Sequence, residues 1–181
     1  MNSFSQKIIS WYEVSGRKNL PWQKDITPYR VWLSEIMLQQ TQVTTVIPYF
    51  ERFLNRFPDI EKLSKSDLNE VLGLWSGLGY YARARNIHRT ARLIVSEFDS
   101  RFPHNLELLM QLPGIGRSTA GAILSISMDI PAPILDGNVK RVLTRFHAIK
   151  GYPEKSEIKK RLWEIAEIHT CLLYTSPSPR D

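Results

Sequence analysis

Cysteine and long apolar runs are both scarce in this sequence. A single cysteine, Cys171, occurs among 181 residues, so the chain cannot form a disulfide framework or a cysteine-rich metal site on its own. No apolar run approaches the length of a membrane span, and residues 1–15 lack the pattern of a signal peptide. We therefore expect a soluble cytoplasmic protein with no membrane partner.

Acidic residues are also in deficit. The chain has 24 Lys and Arg against 18 Asp and Glu, a formal net charge of +6. Such an excess favours a polyanionic partner, nucleic acid before a membrane surface. The length and the 43% hydrophobic content allow one ordinary domain, or two small lobes, with an apolar core.

The alternating apolar and polar runs of β-strands are hard to find, whereas apolar residues recur at three- and four-residue steps, which predicts an all-α fold. One helix is expected to end near Gly16, and another runs from Pro28 to Gln40 with Thr27 as its N-cap. Further helices are predicted at 43–57, 67–74, 80–98, 105–110, 117–127, 137–149 and 154–169. The helical pattern stops after Thr170. We interpret residues 171–181 as a non-native tail, with a native disordered tail as the alternative.

The stretch LPGIGRSTAGAI, from Leu112 to Ile123, predicts a tight turn between two helices. Gly114 and Gly116 allow positive φ and close approach of a large group to the backbone. The start of the next helix carries partial positive charge, so a DNA phosphate could bind there. The spacing and the missing lysine exclude a nucleotide-binding loop. The alternative is an ordinary αα-hairpin with a glycine C-cap.

A second stretch, PILDGNVKRV, places Asp136 at the start of a helix that also carries Lys140 and Arg141. This order of hairpin, Pro/Gly loop and aspartate resembles the helix-hairpin-helix DNA glycosylase superfamily. The strings WLSEIMLQQTQV from Trp32 and LWSGLGYYARARNIH from Leu74 narrow the resemblance to the MutY-type adenine DNA glycosylases. It covers the chain from about residue 10 to 168.

The resemblance implies two helical lobes. A central lobe at 21–130 contains the hairpin at 112–116, and a discontinuous second lobe combines 1–20 with 131–170. Family members carry a four-cysteine [4Fe-4S] site beyond the matched region, and this chain lacks those cysteines. We therefore expect the N-terminal part of the enzyme, with an incomplete second lobe, no metal ligands and no cofactor bound by the chain as given. A monomer associated with a bacterial nucleoid is also expected.

The implied activity is hydrolysis of the bond between adenine and deoxyribose, in double-stranded DNA with adenine opposite 8-oxoguanine or guanine. Cleavage needs a proton on the leaving base and negative charge near the sugar. With Val31, Trp32 and Leu38 within one turn, Glu35 could be desolvated and hold a proton, while a helix start favours ionised Asp136. The resemblance implies that Glu35 protonates adenine N7 and that Asp136 stabilises the sugar cation. The alternatives are a solvated carboxylate and a plain N-cap.

Base removal from a duplex requires the base to be flipped out of the stack. By resemblance, Gln40 and Tyr80 enter the base stack, Trp22 forms a wall of the adenine pocket and Asn138 lies near the reacting sugar. Gln39 is a further candidate. Tyr80 and Trp22 could equally be core aromatics.

Several cations and one serine complete the candidate interface. Four arginines on one predicted helix would contact phosphates or form a solvated face: Arg83, Arg85, Arg89 and Arg92. Ser118 stands where related strand-cutting glycosylases carry a nucleophilic lysine. A hydroxyl cannot form a Schiff base, so we expect a monofunctional enzyme. The other hypotheses are an endonuclease III-like pyrimidine glycosylase with lyase activity and a catalytically silent DNA-binding fragment.

Overall fold

The computed structural model describes the backbone of residues 4–174 and the side chains of residues 4–170. Within that range the chain is helical and contains no strand, which confirms the predicted all-α class. A short 3-10 turn, Pro21–Gln23, follows the first helix. The helices are α1 (Phe4–Ser15), α2 (Pro28–Leu38), α3 (Val43–Arg56), α4 (Ile60–Ser64), α5 (Leu68–Trp75), α6 (Ala82–Glu97), α7 (Leu106–Gln111), α8 (Arg117–Ser127), α9 (Gly137–Phe146) and α10 (Ser156–Tyr174).

The start of α2 follows the predicted Thr27 cap, whereas α2 and α9 end two and three residues earlier than predicted, at Leu38 and Phe146. The Thr27 side chain accepts a hydrogen bond from the Arg30 amide at 3.3 Å, and α2 begins at Pro28. Helix α4 was not predicted, because five residues are too few to show a period. The prediction that the helical pattern stops after Thr170 is wrong, since α10 continues to Tyr174. Residues 175–181 of the predicted tail lie outside the described residues.

The chain divides into two compact units. The central unit is Asn19–Ile130, and the split unit combines Met1–Lys18 with Pro131–Asp181. In the central unit, α2 buries seven of its eleven residues and packs against α8 and α3. The small buried residues Ala120, Gly121 and Ala122 line α8, and they allow this close approach.

The split unit is built on the pair α9 and α10, against which α1 also packs. Its core is small and apolar, and Phe4 of α1 contributes to it. The fully buried members of this core are Leu135, Leu143, Ile149, Leu162 and Ala166. The loop before α9 ends in Asp136. The preceding residue, Leu135, is buried in this core, so the core anchors the end of the loop next to Asp136.

A buried arginine connects α2 to α6 inside the central unit. Arg83 is only 8% exposed. Its Nη1 donates to three carbonyl oxygens at the end of α2, those of Ile36 (3.0 Å), Met37 (2.9 Å) and Gln39 (2.6 Å). Its Nη2 donates to the carbonyl oxygens of Leu78 (3.1 Å) and Gly79 (3.4 Å) and to Thr41 Oγ1 (3.2 Å). We call this set of acceptors the Arg83 cage.

The Arg83 cage ties together the 39–42 loop after α2 and the 76–81 loop before α6. Each loop holds one residue in the left-handed region, Gln40 at φ 56° and Tyr80 at φ 48°. Such a conformation costs about 1–3 kcal/mol and persists only where the surroundings enforce it. The prediction that Arg83 contacts a phosphate is wrong, because its guanidinium is buried and donates to the protein's own oxygens.

The split unit contains a pair of histidines in contact. The Nε2 atoms of His147 and His169 lie 2.9 Å apart, so one imidazole donates to the other. The ring of Phe4 lies against His169 with centroids 4.4 Å apart. Burial, and next the nearby His147, lower the pKa of His169 below its usual 6.5. The folded protein therefore favours neutral His169.

We expect Arg83→Lys to destabilise the central unit. A lysine ammonium is a compact charge with three donors and cannot bridge both loops as a guanidinium fork does. Since hydrogen bonds from charged donors contribute about 1.5–3 kcal/mol each, we expect a loss of about 3 kcal/mol or more. The measurement is urea unfolding, with the exposed Arg101→Lys as the matched control. Equal midpoints for the two variants would contradict the cage.

We expect the histidine pair to make stability depend on pH. Because the folded-state pKa of His169 is lowered, its contribution is complete above about pH 6.5 and is lost as the pH falls through the folded-state value. His169→Leu should thus lose less melting temperature between pH 7.5 and 5.5 than the wild type does. His104→Leu, at an exposed histidine, should behave as the wild type. Parallel pH profiles for all three proteins would refute this role.

Candidate functional site

Glu35 lies at the border of the core on α2. Its neighbours Ser34 and Ile36 are buried, as are Val31 and Trp32 one turn earlier, whereas Glu35 itself is half-buried. The helix is fixed by the core on one side and by the Arg83 cage at its C-terminal end. An acid in this position is held rigidly and remains partly accessible to solvent.

Three polar and aromatic candidates lie on the two loops that the Arg83 cage joins. Gln39 and Gln40 are exposed, and Gln39 holds the cage by its carbonyl oxygen. Tyr80 is 63% exposed, and its ring centroid lies 5.5 Å from the Arg83 guanidinium carbon. Tyr80 is therefore not a core aromatic. The structure joins the backbones of the two loops that carry these side chains.

Trp22 occupies the 3-10 turn of the central unit and is half-buried. Its ring meets that of Phe50 edge-on, with centroids 5.5 Å apart. Arg30 Nη2 donates to the Pro21 carbonyl oxygen at 2.9 Å and so fixes the turn to α2. Trp22 thus has one side against the core and the rest accessible.

The glycine turn joins α7 to α8 as a tight hairpin. Gly114 has φ +80°, and a Cβ there would lie 3.0 Å from the Asn86 Cβ on α6, so both conformation and space require glycine. Thr90 Oγ1 donates to the Pro113 carbonyl oxygen at 2.9 Å and ties the hairpin to α6.

Gly116 differs from expectation and from Gly114. It is extended, with φ −90° and ψ 173°, so positive φ is not the reason for glycine here. A Cβ on Gly116 would meet no atom within 4 Å, and it would point into open space. Gly116 is the N-cap of α8, and the half-buried Ser118 follows in the first turn of that helix. A helix N-terminus reached through glycine is suited to an anion.

Asp136 in the split unit is both exposed and structurally engaged. Its Oδ1 accepts from the Val139 amide at 2.7 Å as the N-cap of α9. Its Oδ2 accepts from Asn138 Nδ2 at 3.5 Å, and Asn138 Oδ1 accepts from Arg141 Nη2 at 2.7 Å. The carboxylate thus has a fixed orientation, and Arg141 fixes the amide beside it.

Lys140 has an intramolecular partner. Its Nζ donates to Glu154 Oε1 at 2.6 Å. The hydrogen bond from Lys140, with its charge, lowers the pKa of Glu154. The pair holds the start of α9 to the segment before α10, so Lys140 has a structural contact in addition to its predicted role.

The donor set of the chain does not fit an iron–sulfur cluster. Such a cluster takes four thiolates, and the sequence contains one cysteine. Among the described residues there is no group of three or more His, Cys, Asp or Glu side chains that could hold a metal ion. None of the described helices is long and apolar enough to cross a membrane.

Comparisons with known proteins give close relatives. The chain is 57% identical over 167 residues to a protein named adenine DNA glycosylase from Buchnera aphidicola subsp. Schizaphis graminum (strain Sg), with 92% of this chain and 48% of that protein covered. The adenine DNA glycosylase of Rattus norvegicus is 44% identical over 176 residues, 92% of this chain and 34% of that protein. The chain therefore spans about half the length, or less, of these relatives.

Solved structures share the architecture. A thermostable thymine-DNA glycosylase aligns with a TM-score of 0.82 and 26% identity over 91% of this chain and 76% of its own. A non-covalent endonuclease III–DNA complex aligns with a TM-score of 0.71 and 20% identity, which supports the fold alone. Residues 33–167 match the family described as HhH-GPD superfamily base excision DNA repair protein. The chain therefore belongs to the HhH-GPD superfamily of base excision DNA repair proteins.

Proposed function

We propose that the chain carries the catalytic region of a monofunctional adenine DNA glycosylase, which hydrolyses the N-glycosidic bond of adenine opposite 8-oxoguanine or guanine in duplex DNA. The observation that carries the proposal is the position of Glu35. This half-buried acid lies on the core helix α2, one turn before the loop that the Arg83 cage ties to Tyr80. The names of the relatives support adenine as the base.

Glu35 acts as the general acid. Its carboxyl proton passes to N7 of adenine, the C1′–N9 bond breaks, and the bonding electrons leave with the base, so that an oxocarbenium ion develops on the sugar. The partly buried position on α2 supports this role, because the carboxyl lies beside the core and still remains accessible to a substrate.

Asp136 supplies the opposite charge. Its carboxylate stabilises the sugar cation and orients the water that attacks C1′, and the proton that this water loses on forming the C1′–O bond passes to the solvent. The N-cap position fixes the carboxylate at the start of α9. Asn138, held by Arg141, orients the second carboxylate oxygen.

Extrusion of the base falls to the loops of the central unit. Removing a base from the stack costs a few kcal/mol, which contacts to the vacated stack must offset. The exposed Tyr80 ring and Gln40 are presented on loops whose backbone is fixed by the Arg83 cage. Trp22 lines the base pocket, and the amides at the start of α8 hold a phosphate beside Gly116.

We expect Glu35→Gln to separate chemistry from binding. The single-turnover rate of adenine release from a duplex with adenine opposite 8-oxoguanine should fall by at least about 100-fold, the usual contribution of a general acid. Affinity for the same duplex should stay within about twofold. Glu61→Gln, at an exposed glutamate of α4, is the matched control. Equal release by wild type and Glu35→Gln would refute the mechanism. DNA binding by the wild type without any release would favour the silent binding fragment.

We expect no covalent trapping of the protein on its substrate DNA. Ser118 offers a hydroxyl in the first turn of α8, and a Schiff base needs an amine. Borohydride added during turnover should leave free protein and a strand that breaks only after alkali. An endonuclease III-type lyase, trapped in parallel, is the positive control. A covalent complex with this chain would favour the lyase alternative.

A further inference from the structure

A groove that is separate from the hairpin runs along α6 in the central unit. It has a volume of about 410 Å³ and is lined by three arginines, Arg85, Arg89 and Arg92, together with His88 and Leu68. The arginines are spaced i, i+4 and i+7, so they share one face of the helix. They span seven residues, or about 10 Å of helix axis.

These three guanidiniums have no hydrogen-bond or ion-pair partner in the part of the chain that the structure describes. All three are exposed, and none makes a hydrogen bond or ion pair with another described residue. Two other arginines of the central unit differ, since Arg56 pairs with Glu70 and Arg83 is enclosed by its cage. Like charges one turn apart repel each other, so an aligned and unpaired row of three is stabilised by a bound anion.

The remaining lining residues make the groove a formed surface. His88 is 9% exposed, and its Nε2 lies 2.9 Å from the Ser66 carbonyl oxygen, to which it donates. This contact fixes the segment before α5 against α6. Leu68, the first residue of α5, offers an apolar wall for the arginine stems.

Helix α6 also contacts the hairpin, on a different face. Asn86 packs at Gly114 and Thr90 bonds to Pro113. At 100° per residue, the arginine row lies about one third of a turn from these two positions. One helix therefore joins the hairpin to the groove. DNA held at Gly116 can continue past α6 along the arginine row.

We propose that this groove binds the phosphodiester backbone of the DNA that flanks the site of base removal. Three guanidiniums along about 10 Å of helix axis can reach about three phosphates of one strand, which carries one phosphate per 3.4 Å of duplex axis. Planar guanidinium forks suit phosphate oxygens. The inference rests on the proposed function only for DNA as the partner, and it does not depend on base excision.

The test measures binding to an undamaged duplex, so it is independent of catalysis. The variant replaces Arg85, Arg89 and Arg92 by Gln. The matched control removes three exposed cations elsewhere, Lys62, Arg101 and Lys150. Affinity is measured from 50 to 200 mM salt. The slope of log K against log salt is negative, and each lost phosphate contact reduces its magnitude by about 0.9. The groove variant should therefore show a slope that is shallower by about 2–3, whereas the control should have the wild-type slope.

Two further measurements separate the outcomes. Arg89→Gln alone should make the slope shallower by about 1. This single variant keeps the test valid if the triple variant does not fold. Ethylation interference should show about three consecutive phosphates of one strand that matter to the wild type and not to the triple variant. An unchanged slope, or an equal loss in the control, would overturn the groove proposal and leave the proposed excision chemistry untouched.

Discussion

One buried guanidinium holds the arrangement of the central unit together. Taking a charge out of water costs several kcal/mol unless hydrogen bonds replace the lost hydration. Arg83 meets that condition with five carbonyl oxygens and one hydroxyl oxygen. Burial lowers the pKa of Arg83, yet a guanidinium so placed stays protonated. Its acceptors come from both loops, so the backbones that carry Gln40 and Tyr80 are fixed relative to each other. In the proposed function, side chains preorganised in this way would lose little freedom on binding.

The two carboxylates depend on different parts of the fold. Glu35 takes its setting from the apolar face of α2, so its chemistry depends on the packing of the central unit. Asp136 takes its setting from the start of α9, where one carboxylate oxygen caps the helix and the other faces Asn138. The N-cap interpretation of Asp136 and the catalytic one are therefore compatible, because the cap bond is what orients the charge.

Patterns of neighbouring residues predicted most of the helices and the Thr27 cap. The Arg83 cage, in contrast, depends on contacts between residues that are far apart in the chain. Helix α8 was predicted with its bounds, because its small residues and glycine start are sequence-local. Arg83 was misassigned, although it lies four residues before Ile87 and eleven before Ile94, which puts it on the buried face of α6. Four of its six acceptors lie more than forty residues away in the chain and carry no sequence signal. The sequence also did not reveal that Gly116 is extended. A glycine there is not required by positive φ, and it leaves open space where a side chain would be.

The central claim is that Glu35 meets adenine while the fixed loops occupy the base stack. The most direct measurement is a crystal structure of the protein on a duplex with 2′-fluoro-2′-deoxyadenosine, which resists cleavage, opposite 8-oxoguanine. The account predicts an extruded adenine, a Glu35 carboxyl oxygen within about 3 Å of N7, and Tyr80 in the stack. Adenine still paired in the duplex, or N7 facing a group other than Glu35, would contradict it.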